Sequence, residues 1–232
     1  MRIVILVPRR RGDRDRELAW NVVRPYLVRL RWPIFLGDSP GAFNRAAARN
    51  AAAEAAGNWD VAVFADADTI QEEAPLQRAV RTKGAVIPWN TRWMLNKAGT
   101  KRISLDGPPI VPSRSELVAP EHQHPKGAGA TLVISRAAWD AVGGFDEGFK
   151  GYGFEDRAMR MALEAVVRGG VKRTRGTVWH LYHPPVRREV QGGSRANAAR
   201  FALYAAARKK GTTATRTLLT ELRNGDCIGR QA

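Results

Sequence analysis

The chain has 232 residues, 44% of them hydrophobic, and 38 Lys and Arg against 22 Asp and Glu give it a formal net charge of +16. That length and apolar content supply one substantial core and exclude a disordered chain, while a single cysteine, Cys227, excludes an intrachain disulfide framework and a cysteine-rich zinc module. The charge calls for an anionic partner, whether nucleotide, nucleic acid, acidic glycan or membrane surface, and does not choose among them.

In chain order, Ile3–Val7 reads as a buried strand, residues 9–16 as a charged loop, and Glu17–Arg31 as a helix with Leu18, Val22, Tyr26 and Leu30 at helical spacing. Residues 33–36 form a second short strand, closed by the turn signal Gly37-Asp38-Ser39-Pro40-Gly41. An alanine-rich helix over 42–56 ends at Gly57-Asn58, and an apolar strand from Val61 stops at Asp66. This alternation predicts an α/β fold with a mostly parallel sheet flanked by helices. Ligands in such sheets bind beyond the carboxyl ends of the strands, where Arg9, Asp38 and Asp66 all fall.

Further along, 85–89 and 130–135 read as strands, a short helix runs through Trp139 to Val142, and 90–125 is a polar, proline-rich stretch without clear assignment. Residues 156–168 look helical, 171–181 extended, and 195–223 form one or two basic helices. The expected organisation is one domain over 1–190 and a basic helical extension over 191–232, which holds eight Lys and Arg against Glu221 and Asp226. No apolar stretch approaches the ~20 residues that span a bilayer, and Ile3–Val7 is too short for a signal-peptide core. The expectation is a cytoplasmic protein without a transmembrane segment.

Asp66 and Asp68 close the buried run Val61-Ala-Val-Phe-Ala65 one residue apart, so both point to the same side of the strand. Two hard oxygen ligands at a strand end suit a divalent cation that also holds a diphosphate. The competing reading is a surface turn with two solvated acids. Glu155 and Asp156 follow a tight glycine turn at the start of a helix, where the dipole and free N–H groups keep a carboxylate ionised. They suit a general base, or simply cap the helix.

Four segments in order carry a resemblance: Pro8-Arg9-Arg10-Arg11 after the first strand; Phe43-Asn44-Arg45-Ala46, with Asn50, opening the next helix; Asp66-Ala67-Asp68; and Gly143-Gly144-Phe145-Asp146-Glu147 leading into Gly151-Tyr152-Gly153-Phe154-Glu155-Asp156. Together they resemble the GT-A glycosyltransferases over roughly residues 1–185, most closely the animal β-1,4-galactosyltransferase catalytic domain and related polypeptide-sugar and family-2-type enzymes. The family pattern usually reads Gly-Trp-Gly-Gly-Glu-Asp-Asp. Here Tyr152 replaces the Trp, Phe154 a Gly and Arg157 the last acid, which leaves the donor sugar and the acceptor open.

The resemblance implies a GT-A (Rossmann-like) fold and metal-dependent, inverting transfer of a hexose from a UDP-sugar to a hydroxyl of a glycan, protein or modified nucleic acid. It implies Mn²⁺ or Mg²⁺, with Asp68 touching the ion and Asp66 on the ribose or reaching the metal through water. Pro8, Arg9, Arg11, Asp38, Phe43, Arg45, Ala67, Tyr152 and Gly153 would surround the donor. A histidine would complete the metal shell. His180 and His183 lie in Val178-Trp-His-Leu-Tyr-His183, where strict alternation puts them on opposite faces and favours His180. His122 and His124 form a rival pair in a polar loop. Asp156 would be the base and Glu155 would orient the acceptor. Two other functions compete: a nucleotidyltransferase, although Pro8-Arg-Arg-Arg11-Gly12 is no glycine-rich phosphate loop, and a nucleic-acid-binding module resting on charge alone.

Overall fold

A computed structural model describes residues 1–118, 128–151, 153–184 and 194–224. The first half follows the alternation of the sequence. Strand β1 (Ile3–Pro8) leads to helix α1 (Arg14–Arg29), whose first turn is capped by the Asp13 carboxylate accepting from the Arg16 N–H. Strand β2 (Ile34–Gly37) follows, then helix α2 (Arg45–Ala56), capped by Asn44, then strand β3 (Val61–Ala65). After β3 come β4 (Thr69–Gln71), α3 (Glu73–Ala79) and β5 (Ala85–Ile87).

The stretch that resisted assignment holds β6 (Thr91–Met94), α4 (Lys97–Asp106) and a short 3-10 turn at Arg114–Glu116. Helix α4 starts where the Asn96 side chain accepts from Ala98 and Gly99 N–H. Then follow β7 (Thr131–Ser135), α5 (Arg136–Val142), α6 (Glu155–Val166), β8 (Val171–Arg173), β9 (Thr177–His180), α7 (Ser194–Lys210) and α8 (Thr212–Asn224).

The main sheet has the order β2-β1-β3-β7-β5-β8. Its β2-β1-β3 half is parallel; β7 runs antiparallel to both neighbours, and β5–β8 is parallel again. A small second sheet, β4-β9-β6, lies beyond the carboxyl end of β3. The segment 171–181, expected as one extended piece, is therefore two strands in two different sheets.

The main sheet is buried on both faces, as its near-continuous apolar strands require. Alternation along β1 sends Val4 and Leu6 to one core cluster and Ile5 and Val7 to the other. The first cluster takes in α2, α6 and residues Tyr204, Leu218 and Leu219, so α7 and α8, which pack on α6, contribute to the core. The second lies under α1 and includes Trp20, Leu27 and Trp179. Two non-glycine residues near the carboxyl end of β3 adopt left-handed backbone: Ala130 at φ 76° and Phe154 at φ 75°. Each costs about 1–2 kcal/mol, which surrounding packing must offset. Among the described residues no helix is long and apolar enough to cross a membrane.

Candidate active site

Asp66-Ala67-Asp68 leaves the carboxyl end of β3 in a tight turn closed by the Thr69 N–H donating to the Asp66 carbonyl at 3.3 Å. Strand β9 runs antiparallel to β4 and pairs Thr69 with His180, which carries His180 to the side of Asp68. The Leu181 N–H donates to the Asp68 carbonyl at 2.8 Å. Strand geometry ends at His180, so the alternation that would separate the two histidines no longer applies. His180 Nε2 lies 3.8 Å and His183 Nε2 3.2 Å from the Asp68 carboxylate, with the two rings 5.1 Å apart. One ligand atom from each of Asp68, His180 and His183 falls within 4.8 Å of the others.

The electrostatics suit a cation. Burial would raise the Asp68 carboxyl, but the two imidazoles hold it well below the usual carboxylate range. Burial lowers His180 and so favours the neutral ring, the ligating form. The hydrogen bond that its ring gives to the Asp68 carboxylate raises His183. A carboxylate oxygen with two imidazole nitrogens is a mixed donor set that Mn²⁺ accepts when oxygen ligands fill its remaining positions.

Asp66 stands outside this trio and belongs to a second cluster. Arg45 and Arg49 sit one turn apart on α2 and share a face. Arg49, only 3% exposed, gives Nη2 to Asp66 at 2.8 Å and Nη1 to Asp156. Arg45 gives Nε to Glu155 at 2.7 Å and Nη2 to Asp156 at 2.9 Å, and its Nη1 lies 3.5 Å from Asp66. The Ala130 N–H completes the shell of Asp66 at 3.2 Å. Two guanidinium groups thus bind three carboxylates, the pairing that buried charge demands. Burial would raise the Asp156 carboxyl, yet Arg49 and Arg45 more than offset it and hold it below the usual range.

The first loop departs from expectation. Pro8 ends β1. Arg9 is 8% exposed, ion-paired with Glu17 and lying over Trp20 at 5.2 Å, so it holds α1 to β1. Arg10, which the sequence reading passed over, is the organiser: it donates to the Asp38 carboxylate at 2.9 and 3.2 Å and to the Gly41 carbonyl at 2.5 Å, and covers the Phe43 ring at 5.4 Å. That hydrogen bond lowers the Asp38 carboxyl. Arg11 is exposed, and Ala67 packs against the second core cluster. Gly153, at φ 103°, lies next to Phe154. Tyr152, His122, His124 and Cys227 lie outside the described residues.

Sequence reasoning also missed Arg49, for which the available signal was its spacing from Arg45, and the joint action of Asn44 and Asn50. Asn44 donates to the Glu147 carbonyl at 2.8 Å, while Asn50 accepts from the Phe145 N–H at 2.9 Å and donates to the Phe145 carbonyl at 2.9 Å. The helix bearing the arginines thereby also holds the loop before α6.

Residues 113–184 match the family model described as the N-terminal domain of galactosyltransferase. No curated protein matches the chain. Among solved structures, a point mutant of Drosophila β-1,4-galactosyltransferase 7, in complex with manganese, UDP-Gal and xylobiose, is similar at 14% identity and TM-score 0.52, over 82% of this chain and 79% of that one. The catalytic domain of the same Drosophila enzyme with xylobiose matches at 17% identity and TM-score 0.52, over 83% and 74%. A Pyrobaculum calidifontis mannosyltransferase in complex with GDP-Man and Mn²⁺ matches at 14% identity and TM-score 0.49, over 97% and 70%. With its parallel β2-β1-β3 half, the antiparallel β7 and the small second sheet, the chain has the GT-A glycosyltransferase fold.

Proposed function

We propose that the protein is a metal-dependent glycosyltransferase that moves a hexose from a UDP-sugar to a sugar hydroxyl with inversion at the anomeric carbon. One observation supports this reading: Asp68, grouped with His180 and His183, stands two residues after Asp66, and Arg49 bonds both Asp66 and Asp156. Mn²⁺ held by Asp68, His180 and His183 would supply positive charge against the diphosphate leaving group. Asp156, ionised at neutral pH, accepts the proton of the acceptor hydroxyl. The acceptor oxygen bonds to the anomeric carbon as the bond to the diphosphate breaks, and UDP leaves with that electron pair. Glu155, fixed by Arg45, orients the acceptor. The complex of the Drosophila enzyme with manganese, UDP-Gal and xylobiose supports this choice of metal, donor class and carbohydrate acceptor.

The test is UDP release from a panel of UDP-sugars with and without Mn²⁺, and with mono- and disaccharide acceptors. Manganese-dependent release, stimulated by at least one acceptor, is the expected result. Absence of metal-dependent UDP binding or release across the whole panel would remove the reading.

A further inference from the structure

The loop between α5 and α6 must deliver Glu155 and Asp156 to the cleft, yet Gly143, Gly144, Gly148, Gly151 and Gly153 leave its backbone little stiffness of its own. Helix α2 holds the start of the loop through Asn44 and Asn50. The rest of the described loop is held by α7, which lies in the basic C-terminal region and beyond the residues that match the galactosyltransferase model.

Three contacts make the connection. Asn197 is 1% exposed and substitutes for a strand neighbour: its Oδ1 accepts from the Lys150 N–H at 3.0 Å, and its Nδ2 donates to the Lys150 carbonyl at 2.7 Å and the Gly153 carbonyl at 3.3 Å. Arg200 grips the Asp146 carboxylate with Nε and Nη2, both at 2.7 Å, and the Tyr204 hydroxyl donates to the same carboxylate at 3.1 Å. A Cβ at Gly148 would meet the Arg200 guanidinium at 2.0 Å, so a larger residue there would have to displace Arg200 from Asp146. Phe201 packs on Phe154 at 5.2 Å, and the Arg157 guanidinium covers both rings at 5.4 and 4.6 Å. Phe154 is the left-handed residue directly before Glu155.

We infer that α7 belongs to the catalytic apparatus, with Asn197 and Arg200 as positioning residues that fix the loop at Asp146, Lys150 and Gly153 and so the carboxylates of Glu155 and Asp156. This rests on the reading of Asp156 as general base. It also explains why a phenylalanine stands at 154 in a backbone conformation that glycine adopts freely: Phe201 of α7 packs on its ring, and Arg157 of α6 covers both rings.

The test uses the full-length protein and two kinds of measurement. In Asn197→Ala, amide hydrogen exchange should quicken across residues 146–151 while β3 and α2 keep their protection. In the same variant kcat for transfer should fall on the order of 10–100-fold, because small misplacements of a base are costly, whereas Mn²⁺-dependent UDP affinity should stay unchanged. Arg200→Lys should keep more of the kcat than Arg200→Ala. Normal kcat in Asn197→Ala beside an inactive Asp156→Asn would overturn the inference and leave the proposed function standing. Full activity in Asp156→Asn would overturn the base assignment, and the inference with it. A parallel loss of UDP affinity and kcat would reduce α7 to ordinary packing. Should Asn197→Ala not fold, Arg200→Lys is judged by the same measurements.

Discussion

The Nε2 of His183 lies 3.2 Å from Oδ2 of Asp68, closer than His180 at 3.8 Å. This proximity depends on the chain leaving strand geometry at His180, because an uninterrupted strand would turn His183 to the opposite face. The arrangement separates the roles of the two aspartates of the β3 turn: Asp68 faces imidazoles, and Asp66 faces guanidinium groups.

The two histidines should therefore act together. His180→Ala and His183→Ala should each weaken Mn²⁺ binding in the presence of UDP by on the order of 10–100-fold or more. Asp66→Asn should leave that affinity close to wild type while lowering turnover, since it perturbs the cluster that holds Asp156. Manganese titrations by calorimetry decide the matter. Asp66→Asn weakening the metal as much as Asp68→Asn would place Asp66 in the metal shell after all.

Asp156→Asn keeps the side-chain size and can still accept from the arginines, but it cannot take a proton. Its kcat should fall by roughly 10²–10⁴-fold with little change in donor affinity, because the base makes its decisive contact in the transition state. The product of the wild-type enzyme should show inverted anomeric configuration by NMR. Near-normal turnover in the variant, or retention of configuration, would remove this mechanism.

Much of this was legible in the sequence because it rests on local pattern. The run Val61–Ala65 announces a buried strand, Phe43-Asn44-Arg45-Ala46 announces the opening of a helix, and the glycine turn before Glu155 announces where those acids emerge, whereas the first helix begins at Arg14, three residues before the expected Glu17. What was not legible is set by distant partners. Strands β4, β6 and β9 have three or four residues each, too few to show a period, and their pairing comes from the register of Thr69 with His180 and Trp93 with Trp179. Arg9 and Arg10 are equivalent by sequence, yet Glu17 takes one and Asp38 the other. Asn197 lies in an alanine-rich helix with nothing in its neighbours to indicate that it bonds the backbone around Lys150.

The arginine cluster should show in stability as well as in catalysis. Arg49→Met removes the buried partner of Asp66 and Asp156 and should cost roughly 3–5 kcal/mol at neutral pH. The sign of the pH dependence follows from Asp156, whose folded pKa is depressed below its ordinary value of 3.8. Its contribution is present above that value and is lost as pH falls through the folded pKa. The gap between wild type and variant in urea unfolding should thus be widest near neutrality and narrow below about pH 4. A gap that does not change with pH would mean that Arg49 stabilises by packing over Phe145 instead of by charge.

Gly129 provides a test of how tightly Asp156 must be placed. Its backbone does not need left-handed geometry, so an alanine there meets no strain of its own. The added Cβ would instead lie 2.6 Å from Asp156 Oδ2, and the carboxylate would have to move. Asp156 has little freedom to do so, because Arg45 and Arg49 each hold one of its oxygens. Gly129→Ala should therefore lower kcat by on the order of 10–100-fold, leave Mn²⁺-dependent UDP affinity intact, and change stability less than Arg49→Met does. Gly129→Ser, with a similar Cβ, should behave in the same way. Unchanged turnover in both variants, with the fold intact, would show that the carboxylate tolerates displacement and that its position in this cluster is not what catalysis requires.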